Sequence, residues 1–193
     1  MIVTELREAM QNQVAVLSKP GAHILTTLTP ARVHLMHMSW ALCGELLELQ
    51  LAYDNDDYVN IVEELSDCEF YMEGLRESFG YPHRAGDVYT QKQMNEINTS
   101  ESLVELVELL LDATKKFIIY NDGSFLEKVK AVYRRIRKVL NVLYMHSGEL
   151  LTQLASNYNS VFELVMNTNF DKLRVRYEGA YSDKAAKDRA DKK

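Results

Sequence analysis

Hydrophobic residues recur at helical spacing along most of the chain, and no convincing strand alternation interrupts them. A first helix is predicted from Val3 to about Leu17, closed by Ser18-Lys19-Pro20-Gly21. Thr29-Pro30 reads as an N-cap followed by proline at the first helical position, opening a helix to about Tyr53 that is apolar nearly all round. Asp54–Asp57 is a tight polar connection, and a third helix runs from about Asp57 to Phe79. So short a connection makes these two helices antiparallel neighbours. Gly80–Asn98 reads as a loop. Thr99-Ser100-Glu101 starts a helix to about Tyr120, and Asn121–Ser124 is a turn with Ser124 as the next cap. From Phe125 a helix passes Met145, with a break at Ser147-Gly148, and resumes to about Met166. The tail from Asn167 reads as irregular, then weakly helical. The expected fold is all-α: an antiparallel helical bundle in a single domain, residues 1–193, with hairpins at 29–79 and 99–166 and a tail at 167–193.

Charge changes this picture at one place. Between Val33 and Leu75 there is no Lys or Arg, but there are ten carboxylates, in a chain whose net charge is only −6. Glu45 and Glu48 are the only charged residues between Val33 and Tyr53. An almost wholly apolar helix is buried, and ionised groups are rarely buried without partners. Glu45/Glu48 are spaced i, i+3, one turn apart on one helical face, and Glu64/Asp67 repeat the spacing on the next helix. The hairpin lets the two pairs face each other. Four carboxylates make an all-oxygen site suited to Mg²⁺, with Mn²⁺ as a substitute. The alternative is a solvated acidic stripe, since Glu5/Glu8, Asp54/Asp57 and Glu105/Glu108 share the spacing.

Composition adds bounds. Hydrophobic residues make up 47% and charged residues 26%, an ordinary globular balance, and scarce Gly (8) and Pro (3) favour helices. No apolar run is long enough to span a membrane, and the acidic start MIVTELREAM is not a signal peptide. Cys43 and Cys68 lie in apolar helical stretches without metal-ligand spacing and read as reduced core cysteines of a cytosolic protein. None of the five histidines has a Glu three residues earlier, which argues against a di-iron carboxylate bundle, and no His-Asp dipeptide supports an HD-type phosphohydrolase. The acidic block opposes nucleic-acid binding.

Cys43-Gly44-Glu45-x-x-Glu48, then Glu63-Glu64-Leu65-Ser66-Asp67, resembles the metal motif of the all-α nucleoside triphosphate pyrophosphohydrolases, the MazG-like and dimeric dUTPase-like enzymes. The tail, Asn169-x-x-Lys172-Leu173-x-x-Arg176-Tyr177 and Tyr181-Ser182-Asp183-x-Ala185-Ala186-x-x-Arg189, is similar to the C-terminal segment of MazG-like proteins from bacteriophages, as is Glu69–Arg76. The resemblance covers about Thr29–Phe79 and Asn167–Ala190. Leu46 and Leu47 stand where the family carries small residues. It implies a MazG-like four-helix core and Mg²⁺-dependent hydrolysis of an NTP or dNTP to the monophosphate and pyrophosphate, in the cytoplasm (the host's, if phage-encoded). Metal would sit on Glu45, Glu48, Glu64 and Asp67, with Glu48 or Glu63 accepting a water proton. Lys172 and Arg176 would hold the outer phosphates, and Asn169 and Tyr177 the rest of the nucleotide. Trp40 and His37, one and two turns before Glu45, could line the base pocket, though Trp40 reads more readily as a buried core residue.

The region between the two matched stretches is longer than in single-module relatives. Glu105-Leu-Val-Glu108 and the Phe125–Leu143 helix read either as a degenerate copy of the first hairpin, making the chain a pseudo-dimer, or as an unrelated hairpin with a basic face. Eight basic residues between Lys115 and Lys138 include Arg134 and Arg137, further phosphate candidates. The expected assembly is a homodimer or a pseudo-dimeric monomer. The competing reading is a non-catalytic helical interaction protein with an acidic docking face.

Overall fold

The computed structural model describes residues 3–82, 102–151, 160–177 and 180–188, with backbone alone for 145–150. The described residues contain helices and no strand: α1 (Val3–Leu17), α2 (Gly21–Leu25), α3 (Pro30–Asp54), α4 (Tyr58–Ser78), α5 (Leu103–Ile118), α6 (Phe125–Leu151), α7 (Val161–Tyr177) and α8 (Asp183–Asp188). The all-α expectation holds.

Local chemistry sets the boundaries of the central hairpin. Thr29 Oγ1 accepts from Arg32 N at 3.3 Å and Pro30 occupies the first turn of α3. Asp57 Oδ1 accepts from Asn60 N at 3.2 Å, starting α4. Asp56 takes up the left-handed turn between them at φ 52°. One face of α3 (Leu35, Leu42, Leu46, Leu49) closes on Ile61, Leu65, Met72 and Leu75 of α4, all buried. Leu106 and Leu110 of α5 complete the core with Ile136 and Leu140 of α6. Helix α3 packs on α4 and α5, α5 packs on α6, and α6 returns to α4, so two hairpins close into a four-helix bundle. Helix α7 packs along α4 and also touches α6. Helix α1 buries nothing.

A buried ion pair joins the hairpins. Arg137 Nη1 on α6 donates to Glu69 Oε1 and Oε2 on α4 at 2.6 and 2.8 Å, and Tyr144 OH donates to Glu69 Oε1 at 3.1 Å. Arg137 was a candidate for phosphate; its guanidinium is instead held inside the bundle by Glu69. Arg134 donates to Tyr81 OH at 3.1 Å, away from the acidic cleft, so neither α6 arginine lines the candidate site. Glu105 and Glu108, the first acidic pair of the suspected repeat, face solvent.

Several boundaries differ from the sequence expectation. Helix α6 runs through Ser147-Gly148 to Leu151 without a break. Ser124 does not cap it; its N–H and hydroxyl both donate to Asp122 Oδ1. Ser102 Oγ accepts from Val104 N and starts α5, whereas Thr99–Glu101 and the expected loop from residue 83 lie outside the described residues. The largest difference is α7, continuous from Val161 to Tyr177 where an irregular tail was expected from Asn167. Asn167 and Thr168 turn their side chains back onto the carbonyls of Glu163 and Leu164, at 2.8 and 2.9 Å, so these polar residues ride the helix instead of ending it.

Candidate metal centre

Helix α3 presents Glu45 and Glu48 one turn apart, and α4 presents Glu64 across from them. One carboxylate oxygen from each lies within 4.8 Å of the others. Glu64 is 4% exposed, and its Oε2 is buried with no hydrogen-bond partner. A carboxylate oxygen left in that condition is costly unless something positive meets it. Burial, a hydrogen bond with Glu45 and the charges of Glu45, Glu48 and Asp67 push the Glu64 carboxyl up to about 8. Burial first, then Asp67, also raises Glu45, against the hydrogen bond with Glu64. The pair therefore keeps a proton near neutrality. A cluster of hard oxygen donors, one of whose members carries an unpartnered buried oxygen, fits a divalent cation, which would be held by Glu45, Glu48 and Glu64 and would replace that proton.

Asp67, expected as the fourth ligand, stands apart from this cluster. Both of its oxygens accept from Lys172 Nζ, and Oδ1 also accepts from Asn169 Nδ2 at 3.1 Å. Lys172 Nζ lies 3.6 Å from Glu63 Oε1, and its side chain is 8% exposed. Lys172 and Asn169 sit three residues apart on one face of α7, so both reach the same carboxylate. The lysine expected to clamp phosphate is thus engaged by Asp67 and Glu63.

The carboxylates floor a cleft of about 680 Å³ between the α3–α4 hairpin and the C-terminal helices. His37, Phe70, Tyr71, Tyr177 and Tyr181 give it aromatic walls, and Arg176 enters it from α7. His37 and Tyr71 meet edge to face at 6.3 Å, and Tyr177 and Tyr181 are 5.6 Å apart. Burial, then the charges of Glu45 and Asp67, push the Tyr71 hydroxyl up to about 12, so it remains a donor. Glu48, Glu63, Asn169, Arg176, Tyr177 and His37 therefore come together as expected. Trp40 does not: it is 46% exposed and belongs neither to the cleft lining nor to the core. Tyr71 was not picked out as a site residue, yet its spacing from Glu64 and Asp67 (seven and four residues) places it on the same face of α4.

Fold and site together define an all-α protein with an acidic, aromatic-walled cleft beside its central hairpin. Comparison of the chain with protein-family models, curated proteins and solved structures finds no significant match. Among the described residues, no helix is long and apolar enough to cross a membrane.

Proposed function

We propose that this protein is a divalent-metal-dependent nucleoside triphosphate pyrophosphohydrolase, with Mg²⁺ as the working ion, releasing a nucleoside monophosphate and pyrophosphate. The observation that carries this reading is the three-glutamate oxygen cluster with its unpartnered buried Glu64 Oε2, facing a cleft that also offers aromatic walls and Arg176. The MazG-like motif residues supply the reaction class.

A divalent cation, when bound, supplies charge neutralisation at phosphate oxygens and acidifies water. The chain supplies the rest. Glu64 is buried and Glu45 half-buried, whereas Glu48 sits on the exposed rim of the cluster. Glu48 is therefore the better proton acceptor for an attacking water, because Glu63 is already close to the Lys172 ammonium. Arg176 faces phosphate as a planar donor set. His37, Phe70, Tyr71, Tyr177 and Tyr181 provide flat apolar surface for a base. Phosphoryl-type displacement asks mainly for such positioning and charge neutralisation.

The test is a panel of the standard NTPs and dNTPs with Mg²⁺, read by pyrophosphate release. One or more should be hydrolysed, and Glu45→Ala should lower that rate by at least about 10²-fold with the helical circular dichroism unchanged. A metal-independent rate, or full activity in Glu45→Ala, would refute the assignment. Salt-sensitive binding to a basic protein without any metal dependence would favour the docking-face alternative.

A further inference from the structure

Lys172 is an unusual phosphate ligand because it is not available to one. Its ammonium is almost wholly removed from solvent, it donates to both oxygens of Asp67, and Glu63 flanks it at 3.6 Å. Asn169, one turn earlier, donates to the same Asp67 carboxylate. One turn of α4 from Asp67, Glu64 Oε2 has no partner, and Glu64 clusters with Glu45 and Glu48. The cleft thus holds a satisfied half, Asp67 with Lys172 and Asn169, beside a cluster of three carboxylates in which one buried oxygen, Glu64 Oε2, has no partner. The fields of Asp67 and Lys172 both reach Glu45, so the halves sense each other's charge.

We propose that Lys172 is a resident counter-cation that withholds Asp67, and itself, until a divalent ion enters the glutamate cluster, so that metal binding precedes and promotes phosphate binding. The proposal rests on the metal reading above. Two consequences follow from charge alone. Before the divalent ion enters, an anionic ligand meets five acidic side chains (Glu45, Glu48, Glu63, Glu64 and Asp67), one of them protonated, against Arg174, Arg176 and a lysine already neutralised, so the balance of charge still opposes it. After it enters, the cation draws Asp67 toward the cluster and screens the field that held the ammonium. Lys172 then has less reason to stay on Asp67 and can turn to phosphate. One side chain makes two ligands bind cooperatively, because each weakens the contact that opposes the other. Lys172 acts here as a positioning residue for Asp67.

Two measurements on the full chain test this. In the first, Mn²⁺ alone is titrated into wild type, Lys172→Gln and Lys172→Arg, following free Mn²⁺ by electron paramagnetic resonance. Lys172→Gln removes the competing charge and should bind Mn²⁺ about tenfold more tightly, near the lower end of what a close charge pair contributes. Lys172→Arg retains the charge, so its affinity should stay within about threefold of wild type, and it serves as the control if the glutamine variant folds poorly. Equal or weaker Mn²⁺ binding by folded Lys172→Gln would overturn the proposal. In the second, wild-type protein is labelled with an amine-reactive reagent with and without Mg²⁺ and read by peptide mass spectrometry. Lys172 labelling should rise several-fold on Mg²⁺ addition relative to the exposed Lys184; an unchanged or lower rate would overturn the release step. Failure of wild type to bind Mn²⁺ at millimolar concentration would overturn the metal reading and this proposal with it. Normal Mn²⁺ behaviour without nucleotide hydrolysis would overturn the hydrolase assignment alone.

Discussion

Glu64→Gln, in the presence of a chelator at pH 8, should be more stable than the wild-type protein by about 2 kcal/mol, after discounting for water in the open cleft. The Glu64 carboxyl is pushed from its ordinary 4.5 up to about 8. Below about pH 4.5 it is protonated whether the chain is folded or not, and it carries no penalty. Between 4.5 and 8 the unfolded chain has released this proton while the folded chain keeps it. Folding then takes up a proton, and stability falls as pH rises. Above about 8 both states are ionised and the penalty is constant. The glutamine amide keeps the hydrogen bond to Glu45 without the charge, so the decline between pH 4.5 and 8 should flatten. The same variant should lose the stabilisation that millimolar Mg²⁺ gives the wild type. Thermal unfolding by circular dichroism across this range, with chelator and with Mg²⁺, checks both. A wild type whose stability does not decline from pH 5 to 8, or a variant that Mg²⁺ stabilises equally, would contradict the assignment of Glu64.

Arg137→Met should destabilise the protein by about 3–5 kcal/mol, the usual cost of orphaning one partner of a buried ion pair. Glu69 is almost wholly buried, and losing the guanidinium would leave it only Tyr144 as a described donor. The cost arises from the stranded charge more than from the lost attraction. Glu69→Leu combined with Arg137→Met should therefore recover most of the loss, since replacing both partners by packed apolar groups is often close to neutral. Urea denaturation of the two variants measures this. A loss below about 1 kcal/mol in the single variant, or a double variant no better than the single one, would show that the pair does not govern the α4–α6 contact.

Much of the central hairpin was legible because its signals are local. Thr29-Pro30 and Asp57 mark helix starts through their own backbone chemistry, and Glu45 and Glu48 stand out because nothing else charged occupies their helix. What the sequence hid was tertiary. No period announces α7, because the face it buries against α4 carries Asn169 and Lys172 beside Leu164 and Val165. A helix that turns polar groups toward an acidic cleft has no continuous apolar stripe to read. Trp40 was misplaced for the opposite reason. Helix α3 is apolar nearly all round, so its pattern does not tell buried from exposed sides, and Val33, Trp40 and Leu47 form an exposed row at seven-residue spacing. Arg137 looked like one more member of a basic run until Glu69, 68 residues earlier, was found beside it. The engagement of Asp67 by Lys172 was equally invisible, since spacing arguments extend a few turns and no further.

That long separation has a consequence for synthesis. Asp67 emerges from the ribosome 105 residues before Lys172, or roughly 5–20 seconds earlier at usual elongation rates. Throughout that interval the nascent hairpin carries its acidic cluster with no lysine to offset it. It must hold protons or free divalent ions from the surrounding fluid, or stay splayed, until the carboxy-terminal helix arrives to neutralise it.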